Sequence, residues 1–358
     1  MEPHALRRSA RPREAGVGRA LRRPEGKDSR VKLAIIGLGS IGRRHLGNFH
    51  TIGVEPLAAW DADAAARAAA AKQFPFATIT ETLEAAVDGA AGVAVCTPPD
   101  SHLALGRLAA DRRAHVMIEK PLTQSADGVE AWLHDCDAKG LRVLTAYNWR
   151  YWPPMLLAER LLKEGRIGAL RAARTEYAYH LPHHRYPGRD YRQFYMAKAA
   201  QGGGCLLDES HAIDYMRWLC GEIVEVSAVV DRISSLEIDT DDIADLTVRF
   251  ESGAVGNIHM NLFAWNMHSH FELMGERGVL QWRRFENEIR LFDPKADRWE
   301  VYPSTAQLND MYVEEARHFV ACMRGEAKPA CDGWDGLKTM KVIEAARRSA
   351  AEHRWVKV

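Results

Sequence analysis

The amino-acid sequence predicts an α/β protein in two parts: a doubly wound parallel sheet, then an α/β unit with an open, mostly antiparallel sheet. Three observations predict it. Short apolar runs alternate with helical stretches over residues 31–149, a glycine loop follows the first of those runs, and from residue 223 strand-like runs succeed one another with short turns between them. Alternating strand and helix implies parallel strands joined by crossover helices, whereas consecutive strands imply hairpins.

The first strand is expected over 31–36, apolar except for Lys32, the pattern of a strand covered on both faces. It runs straight into Gly37-Leu38-Gly39-Ser40-Ile41-Gly42. In a G-x-G-x-x-G at a strand end, the glycines permit a tight turn, backbone approach to a pyrophosphate, and close helix–strand contact. A helix over 43–52 then offers free N–H groups and its dipole to an anion. The next apolar run, 54–60, ends in Asp61, nineteen residues beyond Gly42. A carboxylate there accepts hydrogen bonds from an adenosine ribose and repels a 2′-phosphate. NAD is therefore the expected cofactor, with NADP left open by Arg43 and Arg44 beside the loop. Helices over 64–73, 102–112 and 126–139, with strands over 92–96, 115–118 and 141–146, complete a Rossmann unit spanning 31–150. Ligands of such sheets sit beyond the carboxyl ends of the strands. Gly37, Thr97-Pro98-Pro99 and Glu119-Lys120-Pro121 all fall there. The expected cofactor-binding set is Gly37, Gly39, Ser40, Ile41, Gly42, Asp61, Thr97, Pro98, His102, Glu119 and Lys120.

The second unit, 151–358, opens with a helix after Pro153-Pro154 that Gly165 stops. Strands are expected over 223–233, 243–250, 254–263, 270–274, 279–283 and 288–292, with turns such as Ser252-Gly253 between them, which suggests an antiparallel meander. Ile258, Met260 and Leu262 alternate with Asn257, His259 and Asn261, so that strand has one apolar and one polar face. An open sheet needs its other face managed, and pairing with a second copy into a homodimer or homotetramer is one solution. Helices over 309–324 and 335–352 close the chain and can pack back on the first unit.

Composition narrows the function classes. The 358 residues are 47% hydrophobic and 27% charged, an ordinary globular balance, and the net charge of zero gives no sign of a nucleic-acid partner. Apolar runs fall short of the roughly 18 residues of a membrane span. Six cysteines (Cys96, Cys136, Cys205, Cys220, Cys322, Cys331) form no C-x-x-C pair, so reduced thiols and a cytoplasmic setting are expected. No metal is expected, because His183 and His184 are adjacent and no acidic ligand repeats at zinc spacing. Residues 1–30 hold nine Lys or Arg against four acids and almost no large apolar side chains, the composition of a disordered basic arm.

Two further motifs carry chemistry. Lys120 follows a buried strand and precedes a proline, so its ammonium leaves from the crevice floor, able to donate to a substrate hydroxyl and stabilise the alkoxide formed as hydride departs. Burial near a second cation would lower its pKa toward neutrality. Gly202-Gly203-Gly204 offers backbone that can lie against a ligand. The segment 205–219 after it reads as one helix, with Asp208, His211 and Asp214 or Tyr215 along one face. A histidine with a carboxylate one turn away is a base whose tautomer and pKa its neighbour sets.

In combination the glycine loop, Thr97-Pro98-Pro99-Asp100-Ser101-His102, the Glu119-Lys120-Pro121 triplet, Tyr147-Asn148-Trp149-Arg150-Tyr151 and the segment 202–214 make the chain resemble a known family. It is the glucose-fructose oxidoreductase, inositol dehydrogenase and rhizopine-catabolism (Gfo/Idh/MocA) family, and the resemblance runs from about residue 31 to the C-terminus. It implies a Rossmann domain followed by a larger α/β domain whose open sheet commonly mediates association. It also implies that Lys120 and His211 act in proton transfer with Asp208 nearby, as the expected catalytic set. One departure stands out: many members carry aspartate four residues before the histidine, where this chain has Leu207, and Asp208 is three before. On a regular helix that change turns the carboxylate by roughly 100°.

Substrate contacts are expected from Asn148, Arg150 and Tyr151 and from the loop 180–192, dense in His, Arg and Tyr. There Arg185, Arg189 and Arg192 can clamp a phosphate or carboxylate while Tyr186 and Tyr191 stack on a sugar or base. This stretch resembles one found in members encoded among surface-glycan enzymes. The expected activity is an NAD(P)-dependent dehydrogenase of a sugar or sugar derivative: a nucleotide sugar, an acidic sugar or an inositol-like polyol. The alternatives are redox-neutral NAD-assisted epimerisation, elimination or glycoside cleavage, and non-enzymatic dinucleotide sensing.

Overall fold

The computed structural model describes residues 31–358, and the basic arm expected over 1–30 lies outside the described residues. Strands β1 (Leu33–Ile36), β2 (Leu57–Trp60), β3 (Thr78–Ile79), β4 (Gly92–Val95), β5 (His115–Glu119) and β6 (Val143–Ala146) form one sheet in the order β3-β2-β1-β4-β5-β6. Every pairing in it is parallel. Leu33 and Ile35 join one apolar cluster and Ala34 and Ile36 another, so β1 is covered on both faces, as its unbroken apolar run requires. Helices α1 (Ser40–Thr51), α2 (Ala64–Gln73), α3 (Leu83–Val87), α4 (His102–Asp111) and α5 (Val129–Ala138) alternate with these strands. The chain leaves β1 for β2 on one side and reaches β4 on the other, and α1 starts at that switch point, where such sheets bind ligands.

A helix α6 (Pro153–Lys163) leads to the second sheet. Its strands are β7 (Leu170–His180), β8 (Ile223–Asp231), β9 (Ile243–Phe250), β10 (Val255–Asn261), β11 (Phe263–Gly275), β12 (Gly278–Arg283), β13 (Glu288–Asp293), β14 (Arg298–Pro303) and β15 (Val356–Lys357). Their order is β14-β13-β12-β11-β7-β10-β9-β8-β15. All neighbours are antiparallel except β7 and β10. The simple meander expected from residue 223 is thus interrupted. Strand β7, absent from the sequence reading, lies at the centre and separates β10 from β11. Its buried positions include Ala173 and Thr175, small or polar, so the apolar alternation that marks a strand is faint there.

Between β7 and β8 lie α7 (Cys205–Asp208) and α8 (His211–Cys220), and α9 (Leu308–Met323) and α10 (Gly333–Glu352) follow β14. Helix α9 rests on α1: Asn309 and Asn48 share a side-chain hydrogen bond at 3.0 Å, and Phe319 meets Phe49 edge-on at 6.3 Å. The start of α10 is tied to β6, where Thr145 Oγ1 donates to the Asp332 carbonyl at 3.1 Å. The face of the second sheet away from the helices is polar and knit to itself. His259 Nδ1 lies 3.0 Å from Asp245 Oδ2, and His268 Nε2 lies 3.1 Å from Glu176 Oε2. All six cysteines are buried and free, and among the described residues no helix is long and apolar enough to cross a membrane.

Candidate active site

The glycine loop is shaped as its spacing requires. A Cβ on Gly42 would sit 1.8 Å from the Gly37 carbonyl oxygen, so the first turn of α1 can close onto the loop only without a side chain there. A Cβ on Gly39 would meet nothing within 4 Å, and Gly39 occupies the N-cap position of α1 with no side chain capping it. The free N–H groups of α1 therefore open onto a cradle that fits a pyrophosphate, with Ser40 exposed and Ile41 half-buried at its edge. Beside it Asp61 Oδ2 accepts the Leu38 N–H at 2.6 Å, and Oδ1 accepts the Asp63 N–H at 2.8 Å. Each carboxylate oxygen keeps a lone pair for a ribose hydroxyl. Replacing Asp61 by serine should weaken NAD binding about tenfold to a hundredfold, the scale of hydrogen bonds to a charged group, while NADP binding weakens less or improves. Titration of both cofactors by protein fluorescence checks this.

Two expected cofactor contacts have other partners. Glu119 is buried; its Oε1 lies 2.7 Å from His45 Nε2 and its Oε2 accepts the Lys120 N–H at 3.2 Å, so it braces the turn from below. His102 is fully buried, with Nδ1 3.0 Å from the Pro121 carbonyl and Nε2 2.7 Å from that of Thr97. It ties the β4 loop to the β5 loop. Thr97 and Pro98 remain half-buried at the crevice, with Ser101 Oγ 2.6 Å from Thr97 Oγ1.

Lys120 emerges from the end of β5 and meets α7. Its ammonium donates to the Asp208 carbonyl oxygen and, at 3.1 Å, to Asp208 Oδ1. Asp208 is 1% exposed, and its Oδ1 also accepts the Tyr195 hydroxyl. Arg185 stands 3.9 Å from Oδ2, which has no hydrogen-bond partner among the described residues. The Lys120 pKa moves opposite to the sequence expectation. Burial pulls it down, but the Asp208 and Glu209 carboxylates outweigh burial and the Arg185 cation, and the net shift is upward. Burial alone would raise the Asp208 pKa, yet Lys120 and Arg185 hold it well below the carboxylate range. Glu209, also buried, accepts the Tyr179 hydroxyl at 2.6 Å; burial and the neighbouring Asp208 charge raise its pKa. Two adjacent acids thus differ in protonation, Asp208 an anion and Glu209 biased toward the neutral acid.

The single helix expected over 205–219 is broken. Helix α7 ends at Asp208 and α8 begins at His211, and the join is tightened: Ser210 N–H bonds the Leu207 carbonyl and Ala212 N–H the Glu209 carbonyl, both three residues back. In such a turn residues three apart lie over one another. Asp208 and His211, three apart across this join, therefore lie on the same side of it. His211 is half-buried, its ring edge-on to Tyr147 at 5.6 Å and to Trp149 at 6.3 Å. Its Nδ1 is buried without a partner among the described residues. Burial and the Lys120 ammonium push its pKa well below the usual imidazole value, against an upward pull from Asp208, so it is a neutral base. The triple glycine serves protein packing and not ligand contact: a Cβ on Gly203 would fall 2.3 Å from the Tyr195 carbonyl oxygen.

Of the expected substrate contacts, Asn148 fits best. It lies just past the end of β6 with a buried Oδ1 that has no partner among the described residues, next to Tyr147, whose hydroxyl donates to Ser210 at 3.1 Å. Arg150 is corrected: it is 6% exposed, its Nε and Nη2 donate to Asp214 at 3.0 and 2.7 Å, and its Nη1 donates to the Ala330 carbonyl at 2.7 Å. Tyr151 is likewise buried, against His318, with ring centroids 5.4 Å apart. The loop does not converge as a clamp. Arg185 alone reaches Asp208, whereas Arg192 bonds Asp190 and Glu237, Arg189 lies over Phe194 at 4.2 Å, and the Tyr191 hydroxyl accepts the Glu237 N–H at 2.9 Å. Tyr186 stacks on Phe194 at 4.1 Å and offers no free face there for a sugar. Sequence reasoning missed Glu209, Tyr179, Tyr195 and Arg284, which donates to the Tyr177 hydroxyl at 2.8 Å and lies over Trp149 at 5.0 Å. Tyr177 and Tyr179, two apart in a strand, share a face, and that spacing was the available signal.

A dinucleotide cradle at the switch point, with Lys120 at the end of β5 paired to Asp208 of α7 and a neutral His211 at the start of α8, suits a Rossmann-type oxidoreductase. Comparison with known proteins agrees. A family model described as "Oxidoreductase family, NAD-binding Rossmann fold" matches residues 31–147, and one described as "GFO/IDH/MocA C-terminal domain" matches 155–281. The chain belongs to the Gfo/Idh/MocA family, and it is an NAD-dependent oxidoreductase. It is 26% identical over 350 residues to the D-apiose dehydrogenase of Paraburkholderia graminis, covering 92% of this chain and 90% of that protein. Similarity to the levoglucosan dehydrogenase of Pseudarthrobacter phenanthrenivorans is 24% over 385 residues, covering 90% and 98%. For the myo-inositol 2-dehydrogenase of Thermotoga maritima it is 28% over 280 residues, covering 74% and 79%. Among solved structures, a levoglucosan dehydrogenase complex with NADH superposes with a TM-score of 0.82 at 22% identity, covering 92% of this chain and 99% of that one, a likeness of fold.

Proposed function

We propose that the protein oxidises a secondary alcohol of a sugar or sugar derivative, with residues 31–150 holding the cofactor and 151–358 the substrate. The observation that carries this reading is the Lys120–Asp208 pair beside a neutral His211, at the strand ends where the glycine cradle opens. NAD, when bound, supplies the hydride acceptor. His211 accepts the hydroxyl proton of the substrate, and Lys120 donates a hydrogen bond to the oxygen as negative charge develops on it. Asp208 fixes the ammonium and keeps it protonated. Asn148 Oδ1 accepts from a neighbouring hydroxyl, and Arg185 supplies a cation suited to an acidic or phosphorylated substituent. Relatives named for apiose, levoglucosan and inositol support a polyhydroxylated substrate. The polar outer face of the second sheet is read as a contact between copies.

NADH formation across a panel of plain, acidic and nucleotide sugars and polyols tests the reading; at least one should yield NADH in step with its oxidation, and none doing so would sink it. The pH profile follows from His211. A base with a depressed pKa stays unprotonated to lower pH, so kcat/KM for oxidation should hold through neutrality and fall only well below pH ~6.5, the ordinary imidazole value. An acid limb at or above that pH would contradict the assignment of His211 as the base.

A further inference from the structure

A second group of buried polar side chains lies outside the site just described, under the Glu119-Lys120-Pro121 turn. At its centre is Glu315 on α9, 0% exposed, with neither carboxyl oxygen hydrogen-bonded among the described residues. Three residues before it, Tyr312 meets the His45 ring at 6.0 Å; three after it, His318 meets the Tyr151 ring at 5.4 Å. Residues three apart on a helix share a face, so Glu315 lies between His45 and Tyr151. Both of those also carry a buried polar atom without a partner, His45 Nδ1 and the Tyr151 hydroxyl. The other nitrogen of His45 is the one that holds Glu119 at 2.7 Å, and Glu119 Oε2 accepts the Lys120 N–H. Cys96, whose carbonyl lies against the glycine loop, has Glu119 and Glu315 among its neighbours.

Four unpartnered polar atoms in one buried place are not a packing accident, since buried polar groups are satisfied almost everywhere in native proteins and ordered water serves where protein atoms do not. We propose that Glu315 is a positioning residue, a neutral carboxylic acid that, with Tyr151 and His45, anchors buried water beneath Glu119 and so holds the Glu119–Lys120 turn in place for proton transfer. A neutral carboxyl both donates and accepts, which suits it to bridge a hydroxyl, an imidazole nitrogen and the Glu119 carboxylate. Its chemistry agrees: burial first, then the Glu119 charge, raise its pKa well above the usual range, and no cation offsets them. This inference rests on the proposed role of Lys120, but its test can be read without the sugar.

The experiment compares Glu315→Gln with Glu315→Leu in the full-length protein. Glutamine keeps a donor and an acceptor, whereas leucine keeps only bulk. Labelling of Lys120 by an amine-reactive reagent, followed by peptide mass spectrometry, should be several-fold faster in E315L than in wild type and near wild type in E315Q. With a substrate in hand, kcat of E315L should fall roughly tenfold to a hundredfold, as for a misplaced reacting group, with KM for NAD unchanged and E315Q largely restoring the rate. Equal labelling and kcat in wild type and E315L would overturn the proposal, and so would E315Q behaving like E315L. Should E315L fail to fold, infrared spectroscopy decides: wild type should show the carbonyl band of a protonated acid that E315Q lacks, and its absence from wild type would overturn the neutral acid. If no sugar yields NADH, the functional reading fails, while labelling and infrared still judge Glu315.

Discussion

Replacing Lys120 with methionine is expected to lower kcat/KM by about 10²- to 10⁴-fold, the usual contribution of a positioned proton-transfer group, while NAD still binds. The ammonium donates to the Asp208 carbonyl oxygen and carboxylate, and the Asp208 charge beside it favours its protonated form. Methionine keeps the length of the stem but removes both the charge and the donor. Stability falls too, because Asp208 is 1% exposed and would retain only Tyr195 and the more distant Arg185. NAD affinity, measured calorimetrically on the same sample, separates the two effects: a folded, NAD-binding and inactive variant assigns the loss to chemistry. Asp208→Asn probes the same pair from the other side. It leaves Lys120 without its nearest anion, and turnover should drop while NAD binding persists.

Arg150→Ala should act on stability and not on substrate affinity. The guanidinium makes two bonds to Asp214, one to the Ala330 carbonyl and one to Asp335, joining α8 to α10 and the segment before it. Its loss leaves a carboxylate that is 1% exposed without its cation. Breaking a buried pair on one side costs about 3–5 kcal/mol, or a fall in thermal midpoint of roughly 4–7 °C for a chain of this size. KM for the sugar, measured below the new midpoint, should be close to wild type. An unchanged melting curve with a raised KM would restore Arg150 to the substrate site, where the sequence reading put it.

That contrast shows what is legible in a sequence. The parallel sheet, apart from the two-residue β3, was readable because its strands are short, mostly apolar and separated by helices, and the cradle because glycine spacing there is dictated by backbone contact: a Cβ on Gly42 would collide with Gly37. Lys120, Asp208 and His211 were singled out because they stand beside backbone punctuation, a proline and a glycine run. The central strand β7 was not, because its buried positions include an alanine and a threonine. Nor was the distinction between an arginine that faces substrate and one that pairs inside the protein: Arg150 and Arg192 look alike in a sequence, and only the positions of Asp214, Asp190 and Glu237 separate them from Arg185. Glu209 and Glu315 escaped for the same reason. Their significance lies in burial, and a glutamate on a helix or beside one reads as solvated.

The account turns on hydride leaving a sugar carbon for the nicotinamide while His211 and Lys120 manage the proton. The most direct measurement is mass spectrometry of NADH formed from NAD and a panel of sugars deuterated at their ring carbons. The account predicts that the sugar that is oxidised gives NADH one mass unit heavier, in equal amount with a product that has lost one deuterium from carbon and one hydroxyl proton. A sugar transformed with no labelled NADH released, or no transformation of any sugar by protein that binds NAD, would contradict it.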